Sequence, residues 1–449
     1  MTIRIIDNVE EAKNTVLRRS PLGDKTLPPK VAQRVRDVFG KDLTAEEAVN
    51  IIIAEVQAKG DAALFDFARR IDGVELSKLE VSRPEIKDAY SRVPNDLVDA
   101  LKVAAERVSD FHQKHIPRSW IDFSEDGALG QLIRPLERVG LYVPGGTADY
   151  PSTILMQAIP ARSAGVEEIV VVSPPRQRGV PSDLTMVACD IANVDRVFAV
   201  GGAQAIAALA FGTESVPRVD KILGPGNIFV ALAKRKVFGV VGIDQIAGPT
   251  ETVVIADDTA SPRSAAADLL AQAEHDALAS AILLTPSRRL AEVVQREVQE
   301  LLTRLDRASI AIEALAANSA IVIVESVDQA IDLANLYAPE HLCLLLADGW
   351  SHLGKIRNAG GVFLGEHSPE VVGDYTAGPS HVMPTSGTAR FSSPVNVLDF
   401  IKVTSLVALT EDTTRKLSQA TITLAEAEGL TAHAEAMRCR VREVGKDER

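Results

Sequence analysis

A chain of 449 residues exceeds what one hydrophobic core sustains, so two or three domains are expected. Its composition, 46% hydrophobic and 24% charged, is that of a globular protein, and a formal charge of −13 argues against a nucleic-acid or anionic-membrane partner. Cys189, Cys343 and Cys439 are scattered and odd in number, and neither a signal-peptide core nor a membrane-length apolar run occurs, so a soluble cytoplasmic protein is expected.

Residues up to about Pro117 read as helical. The stretch "TAEEAVNIIIAEVQAKGDAALFDFARR" opens at Thr44 with Glu47 three residues on, the spacing of a capping box, and its apolar residues then recur at helical intervals. A second long helix runs from about Pro94 to Pro117. Near Val139 the pattern changes. Short β-branched runs, among them "VGLYVP", "EEIVVVSPP", "VDRVFAVGG", "VDKILGPG", "ETVVIAD", "SAILLT", "SAIVIV", "HLCLLL" and "GGVFLG", alternate with alanine-rich helical stretches. Continuous apolar strands separated by helices are the mark of parallel sheets covered on both faces. Their number fits two doubly wound halves better than one sheet, with a boundary around "VFGVVGIDQIAGPTE". From Ser386 the rhythm fades, and the end of the chain reads as a helical appendage that must dock on something to be stable.

Three strand-end turns are glycine-rich: "YVPGGTADYPST", "VGGAQAIAALA" and "ILGPGNIFVALAKR". Each follows a strand and precedes a helix, so the amides of Gly145, Gly146, Gly201, Gly202, Gly224 and Gly226 can approach an anion. No GxGxxG or P-loop fingerprint occurs. Tight turning alone accounts for one such loop, whereas three in successive units point to a nucleotide or other phosphate ligand.

Polar groups interrupt the apolar texture in four places. In "LLAQAEHDALASAILLT", Gln272 and His275 are three residues apart and on a helix would share one face, either as core groups bonded to backbone or as ligands of a shared metal. "YAPEHLCLLL" puts Glu340 and His341 at a strand entrance, where a carboxylate and an imidazole can serve as acid and base. "VVGDYTAGPSHVMPTSGTARFSS" carries Asp374 and His381 in a loop of the kind that holds function. Glu428 and His433 lie on the C-terminal helix, where a solvated face accounts for them by spacing alone. His112, His115, His352 and His367 read as surface or satisfied groups.

Taken together and in order, "GLYVPGGTADYPSTILMQAIPA", "VGGAQAIAALAFGTE", "KILGPGNIFVALAK", "GIDQIAGPTE", "DLLAQAEHD", "APEHL", "GDYTAGPSHVMPTSGTARFSS" and "AEGLTAHAEA" resemble the histidinol dehydrogenase family, from about Val139 to His433. The resemblance implies a zinc-dependent oxidation of L-histidinol through the aldehyde to L-histidine, with NAD+ accepting the hydride twice. It implies that Gln272, His275, Asp374 and His433 bind one Zn2+ per subunit, with His433 and Glu428 supplied across a homodimer interface. Glu340 and His341 match the acid/base pair, and Tyr142, Gln204 and Asn227 match NAD contacts. Thr250, His381 and Glu428, together with His341 and the metal ligands, match substrate-side positions.

The fold implied is α/β, two Rossmann-like doubly wound domains with N-terminal helices and a helical tail docked on the partner. Its parts are an N-terminal segment (1–30), an α/β domain of 31–135 and 244–385 carrying most metal and acid/base residues, a NAD-side domain (136–243) and the tail (386–449). Two imidazoles, one carboxylate and a neutral amide leave the zinc a net charge of about +1, Lewis acidic and open to substrate nitrogens. His341 then takes the hydroxyl proton and Glu340 activates water. Thr250 stands where the family usually has serine and Ser380 where asparagine is common; neither change touches a metal or acid/base position. Three rival readings differ in chemistry. A same-scaffold dehydrogenase of another small alcohol, such as a sulfopropanediol, would need a basic anchor that "QAEHD" and "EGLTAH" lack. A zinc hydrolase would have no use for the glycine turns, and a zinc-stapled dimer would show no turnover.

Overall fold

The computed structural model describes residues 3–19, 27, 29–145 and 149–442, so that Gly146 lies outside the described residues. The strands in chain order are β1 (Ile5–Ile6), β2 (Trp120–Ser124), β3 (Gly127–Pro135), β4 (Arg138–Tyr142), β5 (Glu168–Ser173), β6 (Arg196–Ala199) and β7 (Lys221–Leu223). They continue as β8 (Gly242–Ile243), β9 (Glu251–Ala256), β10 (Ser280–Thr285), β11 (Ala320–Ile323), β12 (His341–Leu345), β13 (Gly361–Leu364) and β14 (Ile401–Leu409).

Two parallel sheets carry most of the chain. One has six strands in the order β1-β11-β10-β9-β12-β13, the other five in the order β6-β5-β4-β7-β8. All neighbours in both run parallel. The alternation of side chains along a strand shows how each is covered. In β9, Val254 and Ala256 enter one core cluster while Val253 and Ile255 enter another. In β5, Ile169 and Val171 face one core while Val170 and Val172 face a second. Both faces are therefore dry, which is why these strands read as unbroken apolar runs. Each such fully buried Val, Ile or Leu contributes roughly 1.5–3 kcal/mol.

The helix Ala45–Lys59 begins as its sequence predicts. Glu47 N–H donates to the Thr44 hydroxyl at 3.2 Å, and Thr44 N–H donates back to the Glu47 carboxylate at 2.8 Å. Val49, Ile52 and Val56 of this helix share a core with Val170 and Val172, and Val98, Leu101 and Val108 of the helix Asn95–Gln113 share one with Val139 and Val171. These helices thus cover the five-stranded sheet, a different grouping from the expected union of 31–135 with 244–385. Helical periodicity specifies an apolar face and not the sheet it will meet.

The chain separates into two compact units, Met1–His115 with Leu136–Phe400, and Ile116–Pro135 with Ile401–Arg449. The first holds both parallel sheets. The second holds an antiparallel sheet, β14-β3-β2, in which β14 pairs with β3 from Ile401↔Pro135 to Leu409↔Gly127, followed by the helices Glu411–Ala427 and Thr431–Arg442. The expected all-helical tail is corrected here: its first stretch, "IKVTSLVAL", is rich in β-branched residues and finds its partner strand far back in the sequence. Among the described residues, no helix is long and apolar enough to cross a membrane.

Candidate active site

The helix Val327–Tyr337 stops at Ala338, whose φ of 54° is left-handed, a conformation that costs an ordinary L-residue about 1–2 kcal/mol. After Pro339, Glu340 stands at the entrance of β12 and His341 is its first residue. Both side chains are buried. Beside them, at the entrance of the neighbouring β9, Thr250 donates its hydroxyl to Glu340 Oε2 at 2.6 Å, and Glu251 N–H donates to the same oxygen at 3.0 Å. His341 Nδ1–H donates to the Glu251 carbonyl at 3.2 Å, which leaves Nε2 as its working nitrogen. That Nε2 is buried, 3.4 Å from Asp374 Oδ1, and has no aligned hydrogen bond.

Burial pushes the Glu340 carboxyl up to about 7, although the His341 charge and the bonds from Thr250 and Glu251 work against the rise. For His341, burial disfavours the cation, but Glu340, Asp374 and Glu370 outweigh it and hold the imidazole well above its ordinary range. Near neutral pH the imidazole is thus held as the cation, beside an ionised Asp374 and a Glu340 that is about half ionised.

Gln272 and His275 meet the expectation only in part. The helix Pro262–Ala273, capped by the Ser261 side chain, ends before His275. His275 therefore lies in the following turn, its N–H 3.3 Å from the Gln272 carbonyl, and it is exposed while Gln272 is buried. In the orientation that satisfies its neighbours, the Gln272 side-chain oxygen shares the Glu251 N–H at 2.8 Å and lies beside the Thr250 hydroxyl, and its nitrogen donates to Glu370 at 3.1 Å. Desolvation depresses the His275 pKa against the pull of Asp374, so the imidazole is neutral. Asp374 belongs to the short helix Glu370–Tyr375; burial raises its pKa, yet His341, His381 and His275 together bring it below the ordinary carboxylate value. A neutral imidazole and an ionised carboxylate are the donor types that a divalent cation requires. Among the described residues no three His, Cys, Asp or Glu gather as a complete metal site, so this unit offers a partial donor set.

His381 ties this centre to the other sheet. Its Nδ1–H donates to the Asp374 carbonyl at 2.6 Å, and its Nε2 accepts from the Thr153 hydroxyl at 3.1 Å. Thr153 lies in the helix Pro151–Ala164, which follows the glycine turn after β4. The carboxyl ends of β4, β6 and β7 are where Tyr142, Gln204 and Asn227 sit. Tyr142 is buried, its hydroxyl accepting from Gly202 N–H at 3.2 Å. Gln204 is buried with its side-chain oxygen unpartnered. Asn227 caps the helix Ile228–Val237, accepting from Phe229 N–H at 3.0 Å and Val230 N–H at 3.3 Å. Gly224 has φ +123°, and a Cβ there would fall 2.1 Å from the Tyr142 carbonyl oxygen. Only glycine lets the two turns touch where the strand order reverses between β4 and β7. An orphaned amide oxygen and glycine-lined turns fit a bound dinucleotide.

The first unit thus gathers Thr250, Gln272, Glu340, His341, Asp374 and His381, with His275 in electrostatic reach. Glu428, at the end of the helix Glu411–Ala427, and His433, in Thr431–Arg442, belong to the second unit and are exposed in it. Sequence reasoning missed Glu370, buried beneath the centre with Thr252 donating to it at 2.6 Å, and Glu251. For Glu251 a signal existed, an acid opening a buried strand that is apolar from Val253 onward. Glu370 looks like any first-turn acid after a proline.

The fold and the site define a two-sheet parallel α/β enzyme with a buried carboxylate–imidazole centre. The family model for histidinol dehydrogenase matches residues 38–441. A histidinol dehydrogenase of Deinococcus radiodurans is 52% identical over 418 residues, 93% of this chain and 95% of that protein. One from Dehalococcoides mccartyi is 50% identical over 438 residues, 97% of this chain and 99% of that protein. The crystal structure of histidinol dehydrogenase from Elizabethkingia anophelis superposes with a TM-score of 0.90 at 34% identity, covering 99% of both chains. This chain belongs to the histidinol dehydrogenase family and is a dehydrogenase.

Proposed function

We propose that the enzyme oxidises L-histidinol through L-histidinaldehyde to L-histidine in the cytoplasm, as the closing steps of histidine biosynthesis. The observation that most supports this reading is the buried Glu340–His341 pair beside Thr250 and Asp374. Oxidising an alcohol twice, with a hydration between, needs both a proton acceptor and a base for water in one site. NAD+, contacted by Tyr142, Gln204 and Asn227, supplies the hydride acceptor of both oxidations when bound. Zinc, held by Gln272, His275, Asp374 and a second copy's His433, supplies when bound a Lewis-acidic anchor for the substrate nitrogens and neutralises part of the Asp374 charge.

His341 has its Nδ1 committed to the Glu251 carbonyl, so the proton exchanged is the one on Nε2: the imidazolium first gives that proton up to solvent, and the freed Nε2 then receives the hydroxyl proton. Glu340, with a pKa near neutrality and steadied by the Thr250 hydroxyl, takes a proton from the water that attacks the aldehyde. Thr250, Gln272, His275, Asp374 and His381 line the substrate side, joined across a dimer interface by Glu428 and His433. The homodimer is supported by the second unit, whose small sheet and helices leave Trp120, Phe123, Val403, Val407 and Leu424 exposed, more apolar surface than so thin a unit hides by itself. Two Rossmann-like halves are supported by the five-stranded order, which reads 3-2-1-4-5 along the chain.

The test is NADH absorbance with L-histidinol and NAD+, with histidine quantified. Two NADH per histidine, lost on chelation and restored by zinc, is the expected result. Turnover of a different small alcohol with none of histidinol would move the enzyme to a sister activity on the same scaffold.

A further inference from the structure

The N-terminal segment supplies the edge strand β1 of the six-stranded sheet and then, past the helix Val9–Asn14, brings Arg19 to the entrance of β12. There the Arg19 guanidinium is bound on every edge. It pairs with the Glu251 carboxylate through both terminal nitrogens, Nη2 lying 2.7 Å from Oε2. Nε donates to the Tyr337 carbonyl at 2.9 Å, and Nη2 donates to the carbonyls of Tyr337 and Ala338 at 2.6 and 3.1 Å. Its plane also stacks on the Tyr337 ring, 3.5 Å from the centroid. Glu251 is 5% exposed, and its Oε1 accepts from Ser386 N–H at 3.0 Å as well.

One cation therefore joins the last turn of the helix Val327–Tyr337, the left-handed Ala338 and, through the Glu251 carboxylate, the first residue of β9. The carbonyls it binds belong to a helix C-terminus, where they have no intrahelical donors and where positive charge is favoured. Only Ala338, Pro339 and Glu340 separate Tyr337 from His341. On the other strand, Glu251 follows Thr250 and supplies the N–H and the carbonyl that hold Glu340 and His341. Both strand entrances that shape the centre are clamped by Arg19.

We propose that Arg19 is a positioning residue for the Glu340–His341 pair, an inference that rests on the acid/base reading of those two residues. Its fork holds the strained Ala338 turn against the start of β9, so that carboxylate and imidazole keep the geometry described above. A lysine cannot replace it, because an ammonium cannot face a carboxylate, two carbonyls and a ring together.

The test compares Arg19→Ala, Arg19→Lys and Glu340→Gln with the unmodified full-length enzyme, measuring kcat, KM for L-histidinol and thermal melting. Arg19→Ala is expected to lower kcat about 10- to 100-fold, the scale of a small misplacement of reacting groups. KM is expected to stay within about threefold, since ground-state contacts are untouched. Guanidinium chloride at millimolar concentration is expected to restore part of the lost kcat in the folded Arg19→Ala variant, and sodium chloride is not. If Arg19→Ala does not fold, Arg19→Lys decides, with the same kcat loss at unchanged KM expected. Wild-type kcat in either folded variant overturns the proposal, as does a loss in folded Arg19→Ala that guanidinium fails to relieve. Full activity of Glu340→Gln would instead defeat the acid/base reading itself.

Discussion

Glu340→Gln separates the chemistry of the site from its stability. The Glu340 carboxyl rises from 4.5 to about 7 on burial. A raised carboxyl pKa means the neutral acid fits the fold better than the anion, so stability present below pH 4.5 is lost as pH climbs to about 7. At about 1.4 kcal/mol per unit, the ionised group costs the fold roughly 3 kcal/mol above that window. The opposing contribution comes from His341, raised from 6.5 to about 10 with Glu340 its foremost support. Its imidazolium stabilises the fold fully below pH 6.5 and loses that contribution toward pH 10, by an amount of similar order. Glutamine removes the buried charge and the support it lends to His341 together, so the melting free energy at pH 7.5 should change by less than about 1.5 kcal/mol. Activity should not be spared. With L-histidinaldehyde as substrate, NADH formation should fall about 10²- to 10⁴-fold, the usual worth of a general base. Oxidation of histidinol to the aldehyde should fall far less. Equal losses in the two half-reactions, or a large drop in stability, would refute this division of labour.

His275→Ala should lose zinc and activity together, and stoichiometric zinc in the purified variant by metal analysis would contradict its place in the donor set. Gln204→Leu should raise KM for NAD+ about tenfold, the worth of one hydrogen bond to a buried amide, with little change in KM for histidinol; unchanged KM for NAD+ would exclude a cofactor contact there. Gly224→Ala should lower stability by more than about 2 kcal/mol, because it meets both the Tyr142 carbonyl and a left-handed backbone. A melting curve like that of the unmodified protein would show that the turns after β4 and β7 can separate without cost.

Much of this protein is written in contiguous sequence. The unbroken runs "ETVVIA" and "SAILLT" became neighbouring strands buried on both faces, the Thr44–Glu47 box capped its helix, and Glu340–His341 came to a strand entrance as read. Such features arise from periodicity and capping, which act over a few residues and leave their pattern in the chain. Tertiary structure alone decided the rest. It ended the helix before His275, turned "IKVTSLVAL" into a strand by pairing it with Gly127–Pro135, and gave the helices of 45–113 to the five-stranded sheet. It also buried Glu251 and Glu370 beneath the centre and carried Arg19 to the start of β9. Burial, protonation and ion pairing depend on which distant segments meet, and no local pattern encodes a meeting between residues hundreds of positions apart.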